Sequence, residues 1–320
     1  CPASISFLPY SPPSASTQAT VSRDIRELKL MKGDAEIDTV GSYFALRSVE
    51  VKEDAQGVKR LHLNGQPYFH VGMLDQGYWP DGLLTPPADD AMICDIHTAK
   101  ELGYNMLRKH IKIEPDLFYY YCDKYGMIVF QDMVNSGGYN FLVDTALPTI
   151  GMKRGITHHA GKRRRQQFLH ECAETVRLLY NHPCVCYYTI FNEGWGQFCA
   201  DIVYGAMKQL DGTRVWDATS GWFKEKRSDV DSEHIYFKPI RLKARADRPL
   251  VLSEFGGYSC KIEGHSFNPY KNYGYKTCDT PDEFVSDLRA LYLEQIVPAV
   301  SRGLCAAGLT QVSDGEGETN

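Results

Sequence analysis

From Asn64-Gly65 onward, short apolar segments alternate with amphipathic ones, and no other feature of the sequence constrains the fold as tightly. Eight segments read as strands: YFHVG from Tyr68, NMLRK from Asn105, MIVFQD from Met127, VCYYTIFN from Val185, VWDAT from Val215, HIYF from His234, LVLSE from Leu250 and AAGLTQ from Ala306. Most are unbroken apolar runs, as strands covered on both faces must be. Between them Met92, Ile96, Ala99 and Leu102 share a helix face, as do Phe168, Cys172, Val176 and Leu179, while Phe284, Leu288, Leu291 and Gln295 mark another helix. Thr280-Pro281-Asp282-Glu283 has the spacing of a capping box with proline at the first helical position. Glu114-Pro115 opens a helix that stops before Gly126. Eight βα units in about 260 residues predict an α/β chain folded as a (β/α)8 barrel over residues 59–320, with an open doubly wound sheet as the competitor. Nine residues follow the last strand, so the barrel is expected to lack its final helix.

Residues 1–22, rich in Pro, Ser, Ala and Thr, show no period and read as an irregular segment. Over residues 23–58 the text IRELKLMKGD and AEIDTVGSYFALRSVEV reads as short alternating strands around a Lys-Gly-Asp turn. Two or three strands cannot bury a face alone, which makes this stretch the expected tail of a β-sandwich that begins upstream.

Charge and cysteine usage narrow the partners. Thirty-five Lys and Arg against 40 Asp and Glu leave a net charge of −5, which offers nucleic acid or an anionic membrane no electrostatic footprint. No apolar stretch approaches the ~18 residues that span a bilayer. The 10 cysteines include no CxxC pair, so metal-ligand spacing is absent. Cys184, Cys186, Cys199 and Cys305 stand among apolar residues and are expected as buried reduced thiols. That usage favours a reducing cytoplasm, although a chain starting at Cys1 leaves room for an export signal upstream.

A barrel of this kind works at the C-terminal ends of its strands, and those ends are strongly polar here. Strand two ends at Arg108-Lys109-His110, three at Gln131-Asp132, four at Asn192-Glu193, six at His234 and Tyr236, seven at Glu254, and eight at Gln311 with Asp314 beyond. A carboxylate closing an apolar strand either carries chemistry or pairs with a helix cation as scaffolding, because an unpaired buried charge is costly. Glu193 precedes Gly194-Trp195-Gly196 and Glu254 precedes Phe255-Gly256-Gly257. Two glutamates across a barrel mouth meet the demand of glycoside hydrolysis: one acid protonates the departing oxygen and one carboxylate attacks the anomeric carbon.

The segments FNEGWGQF and LSEFGG resemble the acid/base and nucleophile signatures of glycoside hydrolase family 2, which includes β-galactosidases, β-glucuronidases and β-mannosidases. The likeness extends over DTVGSYFALR, HLNGQPYFHVGMLDQGYWP, NMLRKHIKIEP, YCDKYGMIVFQDM, TSGW, HIY and LTQVSD. In that family a jelly-roll and an immunoglobulin-like domain precede the barrel, and SYFALR resembles the close of the second, which implies that residues 23–58 are the last strands of an immunoglobulin-like sandwich. The resemblance implies a retaining exo-acting O-glycosyl hydrolase, β-galactosidase-like, with Glu193 as acid/base, Glu254 as nucleophile and Asn192 on the sugar 2-hydroxyl. Arg108 then supplies a cation beside Glu254, and Tyr236 a hydroxyl. Asp132 and His234 complete the polar strand ends as substrate-binding candidates. Trp195 and Trp222, each just after a strand end, are candidate platforms for a sugar ring, with Trp79 either platform or core. The expected ligand is a small β-linked carbohydrate, with no cofactor, no metal, and a homo-oligomer possible for a longer protein.

Departures from the family pattern touch specificity. Leu74-Asp75-Gln76 stands where many members carry an Asn-x-His-Glu run, His110 lies two rather than three residues after the arginine, and Gln131-Asp132-Met133 replaces an acidic metal-binding end, so no magnesium site is expected. The Asn-x-Lys pair by which glucuronidases hold a carboxylate would fall near or beyond Asn320, which keeps β-glucuronidase and β-mannosidase as alternatives. A non-catalytic, sugar-binding or incompletely folded fragment is the alternative of another class. His158-His159 with Lys162–Arg165 reads as a solvated surface, and of Tyr119, Tyr120 and Tyr121 at least one is expected to face solvent.

Overall fold

The computed structural model describes residues 24–32, 35–135, 161–266 and 273–315, with isolated positions at 137, 140, 142, 146–147, 268, 270 and 271. Strands β1 (Asp24–Lys32) and β2 (Ala35–Phe44) form an antiparallel hairpin, and β3 (Val49–Glu53), β4 (Lys59–Leu63) and β5 (Gln66–Pro67) form a small antiparallel sheet. The expected barrel strands follow as β6 (His70–Asp75), β7 (Met106–Lys109), β8 (Ile128–Asp132), β9 (Val185–Asn192), β10 (Val215–Ser220), β11 (Asp231–Ile235), β12 (Leu250–Gly256) and β15 (Leu304–Thr310). Short strands β13 (Tyr258–Cys260) and β14 (Lys276–Cys278) pair with each other outside the ring.

The eight strands make one parallel sheet in the order β10-β9-β8-β7-β6-β15-β12-β11, a nearly closed TIM barrel rather than an open doubly wound sheet. No ladder joins β10 to β11 among the described residues. Instead Ala218 N donates to Ser228 Oγ (3.1 Å), Trp216 N to Asp229 Oδ2 (2.8 Å) and Asp229 N to Trp216 O (2.9 Å). Lys224 Nζ adds ion pairs to Asp231 (3.0 Å) and Glu233 (2.9 Å) on β11. These polar residues explain a shifted boundary: β11 starts three residues before the apolar HIYF segment, because Asp231, Ser232 and Glu233 extend it along the seam, while Tyr236 and Phe237 lie past its end.

Helices α1 (Asp89–Glu101), α2 (Asp116–Tyr125), α3 (Lys162–Leu179), α4 (Ala200–Leu210) and α5 (Pro281–Leu291) pack outside the ring. Helix α5 continues through a π-helical turn (Tyr292–Ile296) into α6 (Val297–Ser301). The signals at the helix ends act as read: Thr280 Oγ1 accepts from Glu283 N (3.2 Å), Glu283 Oε2 accepts from Asp279 N (2.9 Å), and Gly126 ends α2 in the left-handed conformation (φ 70°). No described helix is long and apolar enough to cross a membrane. Leu102, expected on the buried face of α1, is 68% exposed, because the helix stops at Glu101 and turns the capping residue outward. Cys199, expected buried, is exposed at the residue before α4. Tyr119 and Tyr121 are buried, the latter donating to Asp89 (2.9 Å), and Tyr120 is half-buried against Tyr43 at 5.6 Å, so none of the three stands free in solvent. His158 and His159 lie outside the described residues.

One apolar layer lies between the ring and the helices, with Ile96, Leu107, Phe168, Leu179, Ile190 and Phe255 among its members. A second fills the barrel, where Phe130 stacks on Tyr187 (4.1 Å, 6°) above Met106, Val251 and Ala306. Leu61 of β4, with Val49 and Val51 of β3, joins this inner layer, so the small sheet plugs the ring end opposite the polar strand ends. Arg60 Nη1 pins it there by donating to Val300 O (2.9 Å) and Leu304 O (3.1 Å). The β1–β2 hairpin is tied on by Tyr43 Oη to Asp123 (2.6 Å) and by Arg47 to the carbonyls of Pro183 (2.5 Å) and Val185 (2.8 Å).

Candidate active site

The polar strand ends converge on one buried guanidinium. Arg108, last but one on β7, donates from Nε to Asp132 Oδ1 (3.0 Å), from Nη1 to Glu254 Oε1 (2.6 Å), and from Nη2 to Asn192 Oδ1 (2.9 Å) and Ser220 Oγ (3.0 Å). It thereby ties together the ends of β8, β9, β10 and β12. A buried cation is tolerable only with such company.

The two candidate carboxylic acids sit above it on different supports. Glu254 lies within β12 and takes a second hydrogen bond from Tyr236 Oη. Glu193 is one residue beyond β9 in the left-handed region (φ 50°), a conformation costing a β-carbon residue about 1–3 kcal/mol and concentrated at functional sites. Its amide is held by Ser220 O (3.2 Å), and Trp195 N returns to Asn192 O (3.0 Å), closing the turn that lifts Glu193 off the strand. An oxygen of Glu193 and an oxygen of Glu254 lie within 4.8 Å of each other.

His234 stands between them. Its Nε2 is 3.2 Å from Arg108 Nη1 and its Nδ1 is 2.8 Å from Glu193 Oε1. Burial pushes the imidazole pKa down to about 3, so the ring is neutral, with one donor and one acceptor. Arginine can only donate, which makes Nε2 the acceptor and leaves the Nδ1 proton for Glu193. Burial also raises the Glu193 carboxyl above its ordinary value, against the opposing charges of His110 and Arg108. Tyr236 stays protonated: burial, then the negative charge of Glu254 and Glu193, raise its pKa far above the usual tyrosine range.

Asn192 is oriented by the same network. Its Oδ1 accepts from both Arg108 and Ser220 Oγ (2.7 Å), so the amide nitrogen is the end left to face a ligand. His110 binds Asp132 Oδ2 through Nδ1 (3.2 Å). Burial opposes its protonation, but the Asp132 hydrogen bond and the charges of Glu254 and Asp132 outweigh that and raise its pKa. For Asp132 burial opposes ionisation, yet Arg108 and His110 hold the carboxyl below its usual range.

These groups floor a cavity of about 700 Å³ at the C-terminal mouth of the ring. Among the residues anticipated from sequence, Glu193, Glu254, Asn192, Trp195 and Tyr236 line it. Arg108, Asp132 and His234 lie behind these residues, with their polar atoms engaged by one another and by the two glutamates, so that they position the groups that face the cavity. Trp222, half-buried beyond β10, does not line the cavity either. His110, whose place in the sequence departs from the family spacing, does.

Three groups were not picked out as site candidates from the sequence, although Lys109 stood in the polar end of strand two. Lys109 is buried below the cavity with its ammonium between Asp75 Oδ2 (2.8 Å) and Glu114 Oε1 (2.6 Å), and Lys112 shares Glu114 (2.9 Å); a lysine closing a buried strand end was the available signal. Ser220, which helps orient Asn192, is signalled only by its place at the end of β10. Tyr273 and Tyr275 reach the cavity from an irregular segment, where no periodicity announces them.

Glu193, His234 and Glu254 are the described group compact enough to hold a metal ion. The donor set does not fit one, because the Arg108 guanidinium already contacts Glu254 and His234 at 2.6 and 3.2 Å and would face the ion.

Comparison with known proteins places residues 87–261 in a match to the sequence model described as glycosyl hydrolases family 2, TIM barrel domain. A mannosylglycoprotein endo-β-mannosidase of Lilium longiflorum is 30% identical over 169 residues, covering 51% of this chain and 16% of that protein. Among solved structures, a β-glucuronidase of Parabacteroides merdae superposes with a TM-score of 0.64 at 17% identity, over 89% of this chain and 36% of the other. A β-galacturonidase of Eisenbergiella tayi, bound to galacturonate, gives a TM-score of 0.61 at 18% identity, over 88% and 49%. The chain thus spans about one sixth of the lily protein and less than half of either solved relative.

Proposed function

The chain belongs to glycosyl hydrolase family 2, and from that premise we propose that it carries the reaction centre of a retaining exo-β-glycosidase, β-galactosidase-like, acting on a terminal β-linked sugar. The observation that carries this reading is that one carboxyl oxygen of Glu193 and one of Glu254 lie within 4.8 Å of each other, so the two groups face one another across a single sugar-sized gap. Retaining enzymes hold their two carboxyl groups about 5–5.5 Å apart, whereas inverting ones leave roughly 6.5–9.5 Å for a water between them.

In the proposed sequence Glu254 attacks the anomeric carbon while the protonated Glu193 delivers its proton to the glycosidic oxygen. The carbon–oxygen bond to the aglycone breaks and an ester to Glu254 forms. Glu193, now a carboxylate, takes a proton from water, the water oxygen attacks the same carbon, and the ester bond breaks to restore both groups. The surroundings favour this division of labour. Burial keeps Glu193 protonated to higher pH than an ordinary carboxylic acid. Arg108 and Tyr236 aim Glu254 from two sides, and the Asn192 amide is turned to donate to a ring hydroxyl.

A second sugar class, one bearing a carboxylate, is favoured by His110, a cavity-lining imidazole whose pKa is raised. Both sugar classes are separated by incubating the chain with 2-deoxy-2-fluoro β-glycosides of galactose, glucose, mannose and glucuronic acid, followed by intact-mass and peptide mass spectrometry. The expected result is a covalent adduct on Glu254 with one of them. An adduct on another residue, or none from a folded chain, overturns the reading.

A further inference from the structure

The cavity changes character with depth. Its floor is polar and deeply buried, with Asn192 3% and Glu254 4% exposed. Its rim is apolar and open, with Tyr78 41%, Leu84 54%, Val134 42% and Tyr273 54% exposed. Ile111 and Ile113, both half-buried, line the wall between.

The rim is built rather than incidental. Trp79 and Leu83 form an antiparallel bridge, exchanging hydrogen bonds of 2.8 and 2.9 Å, so Tyr78 and Leu84 are the next residues facing each other across a tight turn. On another part of the rim, Tyr273 packs edge-on against Tyr275 (5.8 Å), which stacks on Tyr236 (3.8 Å, 11°), whose hydroxyl reaches Glu254. An aromatic path therefore runs from the candidate nucleophile to the mouth. Lys112 also lines the cavity, but its ammonium is engaged by Glu114 Oε1 (2.9 Å) and Gly77 O (2.6 Å).

In an exo-acting enzyme the sugar occupies the floor and the departing group occupies the rim. Gln76 and the tyrosines also line the cavity and could receive a ring of either kind, but Leu84 and Val134 offer a second sugar's hydroxyls no hydrogen-bonding partner, whereas an alkyl or aryl group needs none. We propose that the rim is an aglycone site for an apolar group, an alkyl or aryl alcohol rather than a second sugar. This assignment rests on the glycosidase reading for the identity of the floor, and Leu84 and Val134 are its specificity-determining residues.

The test compares methyl and hexyl β-glycosides of galactose, glucose, mannose and glucuronic acid, whose leaving alcohols are of similar acidity, with the β-1,4-linked disaccharides of the same sugars. Each buried methylene is worth about fourfold, so three to four of them predict a hexyl-to-methyl ratio in kcat/KM on the order of 100. Leu84→Asn and Val134→Asn are expected to pull the ratio below about 10. A ratio near one, or a disaccharide turned over faster than the hexyl glycoside, overturns the assignment. Binding of the same methyl and hexyl glycosides, followed by calorimetry, supplies the ratio without turnover. Tighter hexyl binding in a chain that hydrolyses nothing keeps the apolar rim and removes the hydrolase reading, and equal binding removes the rim.

Discussion

His234 Nδ1 lies 2.8 Å from Glu193 Oε1 while its Nε2 faces Arg108, so one neutral ring joins the acid/base candidate to the cation that also holds Glu254. The tautomer is set by the arginine rather than by either glutamate, and the two carboxyl groups are aligned through a shared scaffold.

Removing the Glu193 proton donor has an effect that depends on the leaving group. Glu193→Gln is expected to lower kcat/KM for alkyl glycosides by about 10²–10⁴, the range ordinarily supplied by general acid catalysis. A 2,4-dinitrophenyl glycoside, which departs without protonation, should still form the glycosyl-enzyme and then stall. Stopped-flow release of the phenol, with a burst in the variant, checks this; equal losses on both substrates would speak against Glu193 as the acid.

The pH profile follows from the same residue. Glu193 must be protonated to act as acid, and burial raises its pKa, so kcat/KM should fall as pH rises through that raised value. Glu193→Gln abolishes this alkaline limb. His234, held neutral with a pKa of about 3, adds no limb between pH 4 and pH 9. A limb that persists in the glutamine variant assigns the ionisation elsewhere.

Arg108→Met leaves Glu254 and Asp132 buried without their cation. Breaking one side of such a network costs about 3–5 kcal/mol, which chemical denaturation reads directly. A loss under 1 kcal/mol would show that water or a neighbour replaces the guanidinium.

His110 links stability to pH in the opposite sense to a carboxylate. Its pKa in the folded chain is raised above the ordinary 6.5, so its pairing with Asp132 and Glu254 contributes fully below about pH 6.5 and fades as pH rises through the folded value. The stability gap between the wild-type chain and His110→Gln should therefore be largest in mild acid and close towards alkaline pH.

Two glycines separate packing from backbone conformation. A β-carbon on Gly72 of β6 would stand 1.9 Å from Met106 O on the paired strand, where neither backbone can yield, and Gly72→Ala is expected to cost more than about 3 kcal/mol. Gly57 (φ 75°) faces open space, so Gly57→Ala costs only the left-handed conformation, about 1–2 kcal/mol. Denaturation midpoints that rank them the other way would refute this geometry.

Strand ends were legible where an apolar run stops on a polar residue, and for that reason the places of Arg108, Asn192, Glu193 and Glu254 can be read from the sequence. Their division into groups that face the cavity and groups that brace them cannot. Arg108, Asp132 and His234 read from the sequence as substrate-binding candidates, and three-dimensional proximity also makes them each other's partners. Seam residues Asp231–Glu233 were missed because they are polar in a strand, a departure from the usual pattern that only Lys224 explains. Tyr273 and Tyr275 carry no local signal, since long-range stacking rather than periodicity puts them in the wall.

Among the described residues no ladder joins β10 to β11, and this gives the ring an order of opening. Elsewhere each strand is zipped to its neighbour by a main-chain ladder, but here a single main-chain bond from Asp229 to Trp216 and the side chains of Ser228, Asp229 and Lys224 act as a clasp on what is topologically a ribbon with two ends. Thermal breathing should start at this clasp. Ser220, which accepts from Arg108 at the last residue of β10, is the first part of the cavity floor that such breathing would release.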